Sequence, residues 1–394
     1  MRILTIFFDM LRADTLNSIN EKVDLTAVDE LFKKLGGTLF TECYSEGPDT
    51  ARSLSMFWSG VPCYLNGCQK RAQYPSFFLQ FPTFLDVLSN NGYDIRLYND
   101  KKERDCGCYP PNFRECGNHN TSNNLEEFLK ELPELDDQYV FLGIEDYHWA
   151  LNDYGATVAG VKKGHQYLDE IIDVIMSNID MEAFDAIIVF SDHGHTMRED
   201  LGKDSFGFVL GGNRTRLVSF IHLKGSGKNI VKNNKLCSIT DFYTTIVKMC
   251  GITINKNMGY SIDLFSEEEH DFLCFEESLE FRPGINMNID LWAVLTKEFL
   301  FCTNIKEQKF VRGSGCAEKC VDILRQECKD YNKYEREMKV LEYYKALDEI
   351  KVKETYTLGG KRMVFKSPFV GKLFKLFMKL HYSKKCGGRN GAKK

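Results

Sequence analysis

Short apolar runs alternate with longer amphipathic segments through about the first 250 residues of the chain. Strands buried on both faces of a parallel sheet are apolar at nearly every position, whereas the helices that cover such a sheet repeat their apolar residues every three or four positions. The pattern therefore predicts an α/β fold in which helices sandwich a mostly parallel central sheet. The predicted strands are residues 3–8, 94–98, 139–144, 186–190 and 217–222.

Two helices are predicted, one from the spacing of its apolar residues and one from the glycine that ends it. Residues 158–175 carry apolar side chains three or four positions apart, as a helix with one buried face does. Residues 238–250 precede Gly251, and glycine commonly terminates a helix. Both segments lie between predicted strands or directly after them, as the α/β interpretation requires.

Beyond about Gly251 the alternation weakens. Residues 272–301 are predicted to form two or three strands with turns around Arg282-Pro283-Gly284, and residues 316–355 to be mostly helical. We expect a catalytic α/β domain, a smaller C-terminal α+β subdomain, and a C-terminal segment with a basic amphipathic helix and tail. The expected boundaries are residues 1–265, 266–360 and 361–394.

The composition restricts the possible classes of function. Of 394 residues, 43% are hydrophobic and 27% are charged, which is typical of a folded soluble protein. The net charge of −5 argues against a nucleic-acid-binding protein. The N-terminal apolar run ends in an acid, and no apolar stretch approaches the ~18 residues that span a bilayer, so we expect a cytoplasmic protein. The fourteen cysteines are then expected to be reduced thiols.

Acids and histidines follow three of the predicted strands. Asp9 follows the first, residues 145–148 (Glu-Asp-Tyr-His) follow the third, and residues 191–195 (Ser-Asp-His-Gly-His) follow the fourth. Open α/β sheets bind their ligands at the carboxyl ends of their strands. Carboxylates and imidazoles that meet there would suit zinc or manganese, and oxygen ligands alone would suit calcium or magnesium. The alternative for each acid is that it caps the following helix.

A hydroxyl group is predicted at the start of a helix. The turn Gly47-Pro48-Asp49 leads into a helix of about nine residues that Gly60 closes, with Thr50 at its N-terminus. The free N–H groups of a helix N-terminus favour a phosphate or sulfate group. Beside a metal ion, such a hydroxyl becomes a candidate nucleophile. The alternative is that Thr50 is only an N-cap.

Together these segments resemble the sulfatase-like branch of the alkaline phosphatase superfamily, over about residues 1–251. The resemblance implies that Asp9, Thr50, Asp192 and His193 bind a metal ion, and that Thr50 takes the place of the nucleophile. The segments that carry it are Phe8-Asp9-Met10-Leu11-Arg12-Ala13-Asp14, Thr50-Ala51-Arg52-Ser53 with Ser59-Gly60, and Ser191-Asp192-His193-Gly194, followed by residues 211–217 and 239–252.

Two departures from the sulfatase pattern bear on the reaction. Formylglycine matures from a cysteine or serine four residues before an arginine, and Pro48 stands four residues before Arg52. Sulfatases also commonly have paired aspartates after the first strand, whereas Met10 follows Asp9 here. The resemblance therefore implies one divalent cation, with zinc or manganese favoured over calcium or magnesium, and a threonine nucleophile like that of phosphoethanolamine and lipoteichoic acid transferases and nucleotide pyrophosphatases. Whether a second metal ion binds is left open by the resemblance.

The resemblance also implies roles for residues around the nucleophile. His148 and His195 are expected to donate protons or contact phosphate, although His195 is alternatively a solvent-facing loop residue. Arg52 and Lys203 are expected to bind the transferred group, although both are alternatively plain surface charges. The implied reaction is a double displacement with a phosphothreonine intermediate. The alternatives are an atypical sulfatase without formylglycine and a catalytically inactive scaffold.

The end of the chain has the pattern of a basic amphipathic helix. Ser367-Pro368 is a helix start, the apolar residues that follow lie on one face, and Lys372, Lys375 and Lys379 lie on the other. Such a helix either binds an anionic membrane surface or packs on the protein's own core. The predicted substrate is accordingly a phosphorylated or sulfated glycan or lipid-linked molecule, on the inner membrane face if the helix binds there.

Overall fold

The structure is a computed structural model. It describes residues 1–66, 83–99, 114–115, 122–197, 210–253, 260–278, 290–303, 308–324, 326–327, 356–357 and 360–361. In this part of the chain, no helix is long and apolar enough to cross a membrane. The predicted C-terminal helix, Lys203 and the turn at residues 282–284 lie outside the described residues.

The main sheet has the strand order β5-β4-β6-β1-β7-β8-β2-β9. Strands β5, β4, β6, β1 and β7 run parallel, β8 is antiparallel to both of its neighbours, and β2 pairs with β9 in parallel. The predicted α/β fold with a mostly parallel sheet is confirmed. The strands are β1 (Arg2–Phe8), β2 (Gly37–Phe40), β3 (Cys43–Tyr44), β4 (Asp94–Asn99), β5 (Arg114–Glu115), β6 (Gln138–Ile144), β7 (Ala186–Ser191), β8 (Ser219–Leu223), β9 (Ile230–Asn233) and β10 (Cys237–Ser238).

Helices cover both faces of this sheet. The α-helices of the described residues are α1 (Ala27–Leu35), α2 (Thr50–Ser59), α3 (Cys63–Asn66), α4 (Phe84–Asn90), α5 (Ser122–Lys130), α6 (Asp146–Tyr154), α7 (Val158–Asn178), α8 (Gly212–Thr215), α9 (Asp241–Met249) and, against the second sheet, α10 (Ala317–Leu324). Side chains alternate between the faces of a strand. Ile3 and Phe7 of β1 therefore join the core formed with α2, α4 and α9, whereas Leu4 and Phe8 join the core formed with α1, α5 and α7.

A second, antiparallel sheet follows, with the order β11 (Leu273–Ser278), β12 (Asp290–Leu295), β13 (Leu300–Thr303) and β14 (Gln308–Arg312). One of its faces, which includes Phe275 and Leu291, forms a separate apolar cluster with Tyr44, Leu210 and Leu236. The other face joins the main core, together with Cys320 and Leu324 of α10. This arrangement agrees with the predicted strands after residue 272, while the predicted domain boundaries stay predictions. A short hairpin pairs β15 (Tyr356–Thr357) with β16 (Gly360–Lys361).

The differences from the predicted elements have local causes. Helix α9 begins at Asp241, later than predicted, because Ser238 belongs to β10 and pairs with Tyr44. Strands β2 and β9 were not predicted, since both are only four residues long and β9 is partly exposed. A short, half-exposed strand does not have the continuous apolar run that identifies the central strands.

Candidate active site

The carboxyl ends of three neighbouring strands bring the predicted acids to one edge of the main sheet. Phe8, the last residue of β1, pairs with Ile144 of β6 on one side and with Ser191 of β7 on the other. Asp9 therefore lies between the segments that follow β6 and β7. Helix capping does not explain Asp192, because no helix begins in residues 193–197.

Asp9, Asp192 and His193 form a compact group of possible metal ligands. Each offers one ligand atom, and these atoms all lie within 4.8 Å of one another. Nε2 of His193 is 3.3 Å from Oδ2 of Asp192 and 4.0 Å from Oδ1 of Asp9. Nδ1 of His193 donates a hydrogen bond to the carbonyl oxygen of Gly194 at 2.6 Å. This contact directs the Nε2 lone pair at the two carboxylates.

The bonding of Asp192 fits a bound cation. Its Oδ1 accepts hydrogen bonds from the backbone N–H groups of Met10 at 3.0 Å and His193 at 2.8 Å. Its Oδ2 is buried and accepts no hydrogen bond from the residues that the structure describes. A buried carboxylate oxygen without a donor is costly unless a cation binds it. Two carboxylates and one imidazole are a suitable ligand set for zinc or manganese.

Burial and the charges of neighbouring groups shift the pKa values of the two acids and of the imidazole. Burial, followed by the charge of Asp9, raises the pKa of Asp192 above its usual range. Burial opposes ionisation of Asp9 as well, but the adjacent His148 outweighs it and lowers the pKa of Asp9. Burial lowers the pKa of His193 to about 4, so its imidazole is neutral and has a lone pair for a metal ion at physiological pH.

The backbone around these ligands is tightly constrained. Met10 has φ of 65°, in the left-handed region that residues other than glycine rarely adopt. The N–H of this residue donates to Oδ1 of Asp192. Gly194 has no room for a side chain, because a Cβ atom there would lie 2.2 Å from the carbonyl oxygen of Asn213. Strained and crowded backbone of this kind is common at functional sites.

Thr50 is the first residue of α2, and its hydroxyl group lies beside the ligand group. Oγ1 donates to Oδ1 of Asp9 at 3.3 Å and lies 3.4 Å from Nε2 of His193. Asp49 is the N-cap, and its side chain accepts a hydrogen bond from the N–H of Arg52. Thr50 therefore does not cap the helix. The structure brings the four predicted residues together, while their roles as ligands and nucleophile stay predictions.

His148 and His195 have different surroundings. Nδ1 of His148 donates to Oδ2 of Asp9 at 2.7 Å, and the side chain is 27% exposed. His195 is buried instead, with Nε2 3.1 Å from the hydroxyl oxygen of Tyr147, and burial lowers its pKa to about 3. The alternative that His195 is a solvent-facing loop residue is therefore wrong, while the roles of both histidines in proton transfer or phosphate contact stay predictions.

Arg52 lies in the protein interior. Its side chain is fully buried; Nε donates to Asp49, Nη1 donates to the carbonyl oxygen of Glu276 at 2.9 Å, and Nη2 donates to Oε1 of Glu277 at 2.8 Å. Burial works against its charge, but the carboxylates of Asp49 and Glu277 outweigh it and raise the pKa of Arg52. The alternative that Arg52 is a plain surface charge is therefore wrong. A contact between Arg52 and substrate, as predicted, would compete with these partners.

Three further residues support the site and were not singled out from the sequence. Ser53 donates a hydrogen bond from its hydroxyl to the carbonyl oxygen of Asp192. Arg214 donates from Nη2 to the carbonyl oxygen of Pro48 at 2.9 Å and pairs through Nη1 with Oε2 of Glu277 at 2.8 Å. Ser53 and Arg214 belong to segments that carry the resemblance, whereas Glu277 lies in the second sheet and has no signal in the sequence.

Residues 2–252 match the protein family described as Sulfatase. The chain belongs to the sulfatase family. Membership also places it in the sulfatase-like branch of the alkaline phosphatase superfamily, among metal-dependent hydrolases and transferases. No curated protein matches the chain in sequence.

Solved structures have the same fold at low sequence identity. BT1596, a 2-O GAG sulfatase, has a TM-score of 0.62 at 12% identity, with 92% of this chain and 98% of that chain covered. The lipoteichoic acid synthase LtaP from Listeria monocytogenes has a TM-score of 0.58 at 13% identity, covering 89% and 92%. The phosphonate monoester hydrolase of Agrobacterium radiobacter has a TM-score of 0.53 at 13% identity, covering 89% and 95%. These similarities extend the fold assignment over most of the chain.

Proposed function

We propose that this sulfatase-family protein is a divalent-metal-dependent enzyme that cleaves or transfers phosphate esters or phosphodiesters through Thr50. The observation that carries the proposal is the position of the Thr50 hydroxyl, at a helix N-terminus and 3.3 Å from Asp9 within the Asp9, Asp192 and His193 group. A cation held there, with zinc or manganese favoured, supplies Lewis-acid stabilisation of the negative charge on the ester oxygens.

The protein's own residues account for the remaining parts of the reaction. Thr50 attacks phosphorus, with the ester's non-bridging oxygens next to the N-terminus of α2. The hydroxyl proton of Thr50 passes to Asp9 along their hydrogen bond as the attack proceeds, and His148 holds the other oxygen of that carboxylate at 2.7 Å. His148 protonates the departing alcohol as the oxygen–phosphorus bond to it breaks and the bond to Thr50 forms. Water or an acceptor hydroxyl then attacks the phosphothreonine and gives its proton to His148, while Thr50 leaves phosphorus and recovers its proton from Asp9.

The choice of phosphate over sulfate esters rests on the nucleophile. The residue four positions before Arg52 is Pro48, and formylglycine matures only from a cysteine or serine there, so the aldehyde hydrate of sulfatases has no source at this site. A threonine hydroxyl forms a phosphate ester that a second nucleophile can cleave. The proposed substrates are phosphorylated glycans or lipid-linked molecules, a class consistent with relatives that include a lipoteichoic acid synthase and a 2-O GAG sulfatase.

The test is a substrate panel on the purified full-length protein, combined with elemental analysis. We expect a bound divalent cation and turnover of bis(4-nitrophenyl) phosphate in preference to 4-nitrophenyl sulfate, with 4-nitrophenyl phosphate showing whether monoesters are also accepted. Preferential turnover of the sulfate would support an atypical sulfatase instead. Absence of both metal and turnover would support a catalytically inactive scaffold and refute the proposal.

His148→Gln is expected to lower kcat for phosphodiesters with alkyl leaving groups by about 10²-fold or more, the scale of general acid catalysis. Glutamine retains an N–H that can donate to Asp9, so the position of that carboxylate is largely kept. The control is internal to the variant: 4-nitrophenoxide departs without protonation, so turnover of bis(4-nitrophenyl) phosphate should fall much less. Equal losses on both kinds of ester, measured by steady-state kinetics, would contradict a proton-donor role.

A further inference from the structure

The segment that presents Thr50 is held by four buried or nearly buried charged side chains from three parts of the fold. Asp49 and Arg52 belong to the start of α2, Arg214 lies in α8, and Glu277 lies in β11 of the second sheet. Glu277 is 1% exposed and Arg52 is fully buried. Two positive and two negative charges balance one another, which makes such a network tolerable in the protein interior.

The carboxylate of Glu277 joins the two arginines. Its Oε1 accepts from Nη2 of Arg52 at 2.8 Å, and its Oε2 lies 2.8 Å from Nη1 of Arg214. Each arginine then binds one of the two residues that immediately precede the nucleophile. Arg52 binds the side chain of Asp49 through Nε, and Arg214 binds the carbonyl oxygen of Pro48 at 2.9 Å.

We propose that Glu277 is a positioning residue for Thr50, acting through Arg52 and Arg214 to fix the segment that presents the hydroxyl group. The inference rests on the proposed function, in which Thr50 is the nucleophile. Without Glu277, the fully buried guanidinium group of Arg52 and the nearly buried one of Arg214 lose their shared partner, and each is free to leave Asp49 or Pro48. Small displacements of a nucleophile from its attacking position reduce turnover more than they reduce substrate binding.

Glu277→Gln tests this role because glutamine has the size of glutamate and keeps one acceptor oxygen while it loses the charge. Hydrogen exchange of backbone amides provides a readout that does not depend on activity. We expect amides of residues 49–53 to exchange about tenfold faster in the variant, with α7 unchanged. We also expect kcat for bis(4-nitrophenyl) phosphate to fall about tenfold or more, with KM within about twofold and metal content unchanged.

Asp241→Asn is the matched control. Asp241 is fully buried and pairs with His270 at 3.0 Å, so the variant also removes a buried charge from an ion pair. None of the contacts described for its side chain reaches residues 48–50. We expect lower stability, with kcat and the exchange of residues 49–53 unchanged.

Arg214→Lys is a second variant in case Glu277→Gln folds poorly. The side chain of Arg214 is 14% exposed, and a lysine in its place keeps the charge but lacks the planar guanidinium group that contacts both Glu277 and Pro48. Arg214→Lys should also show faster exchange of residues 49–53 and a lower kcat. In the double variant with Glu277→Gln, kcat should fall by less than the product of the two single-variant fold-changes. Unchanged exchange in residues 49–53, or a kcat loss no larger than that of Asp241→Asn, would overturn the inference. If the wild-type protein turns over no ester, the proposed function fails while the exchange comparison still decides the role of Glu277.

Discussion

Thr50→Ala is expected to abolish turnover of phosphodiester probes, with kcat reduced on the order of 10⁴-fold or more, as is seen when a catalytic nucleophile is removed. The variant removes the hydroxyl oxygen through which Thr50 contacts Asp9 and His193. Alanine is a good helix former and Asp49 provides the N-cap, so we expect α2 to remain intact. Steady-state kinetics with bis(4-nitrophenyl) phosphate measure the loss, and thermal unfolding checks that the fold is retained.

Thr50→Ser is the matched control for this prediction. Serine restores the hydroxyl group and lacks only the methyl group, so it should recover a substantial part of the wild-type kcat. Mass spectrometry of the digested wild-type protein, quenched during turnover, should detect an added phosphoryl group on the peptide that contains Thr50, and Thr50→Ala should not acquire it. Turnover in Thr50→Ala within tenfold of wild type would refute the assignment of the nucleophile.

The sequence predicted the parts of the site that strand ends determine. Because β1, β6 and β7 are parallel neighbours, the residues that follow them must meet at one edge of the sheet. Each strand could be recognised from a continuous apolar run, and Asp9, His148 and Asp192 are tied to these runs by a few residues. Thr50 could be placed at a helix N-terminus because Pro48-Asp49 precedes it and Gly60 ends the helix. Gly60 has φ of 66° in the structure.

The surroundings of these residues depend on tertiary contacts that apolar spacing does not specify. Arg52 was expected either to bind substrate or to lie at the surface, and only the position of β11 against α2 shows that Glu277 reaches it. Glu277 itself is one acid in a strand of the second sheet, and its partners are more than 60 residues away in sequence. His195 follows His193 by two residues, yet its side chain is buried against Tyr147.

Asp192→Asn is expected to remove the divalent cation while keeping the local structure. Asparagine Oδ1 can still accept from the N–H groups of Met10 and His193, and its amide replaces the buried Oδ2 that lies 3.3 Å from His193 Nε2. Loss of a charged ligand should weaken metal binding by about 10²-fold or more. Elemental analysis of the purified variant should therefore find little metal, whereas we expect one divalent ion per chain in the wild type.

Thermal unfolding separates the loss of metal from a loss of structure. A cation that binds only the folded state raises Tm, so zinc or manganese added to metal-free wild-type protein should raise Tm and should leave that of Asp192→Asn almost unchanged. Without metal, the variant should be at least as stable as the wild type, because it no longer places two buried carboxylates side by side. Asp86→Asn is the control, since Asp86 is a fully buried acid in the capping box of α4 and its variant should keep the metal. Retention of the metal ion by Asp192→Asn would exclude Asp192 as a ligand.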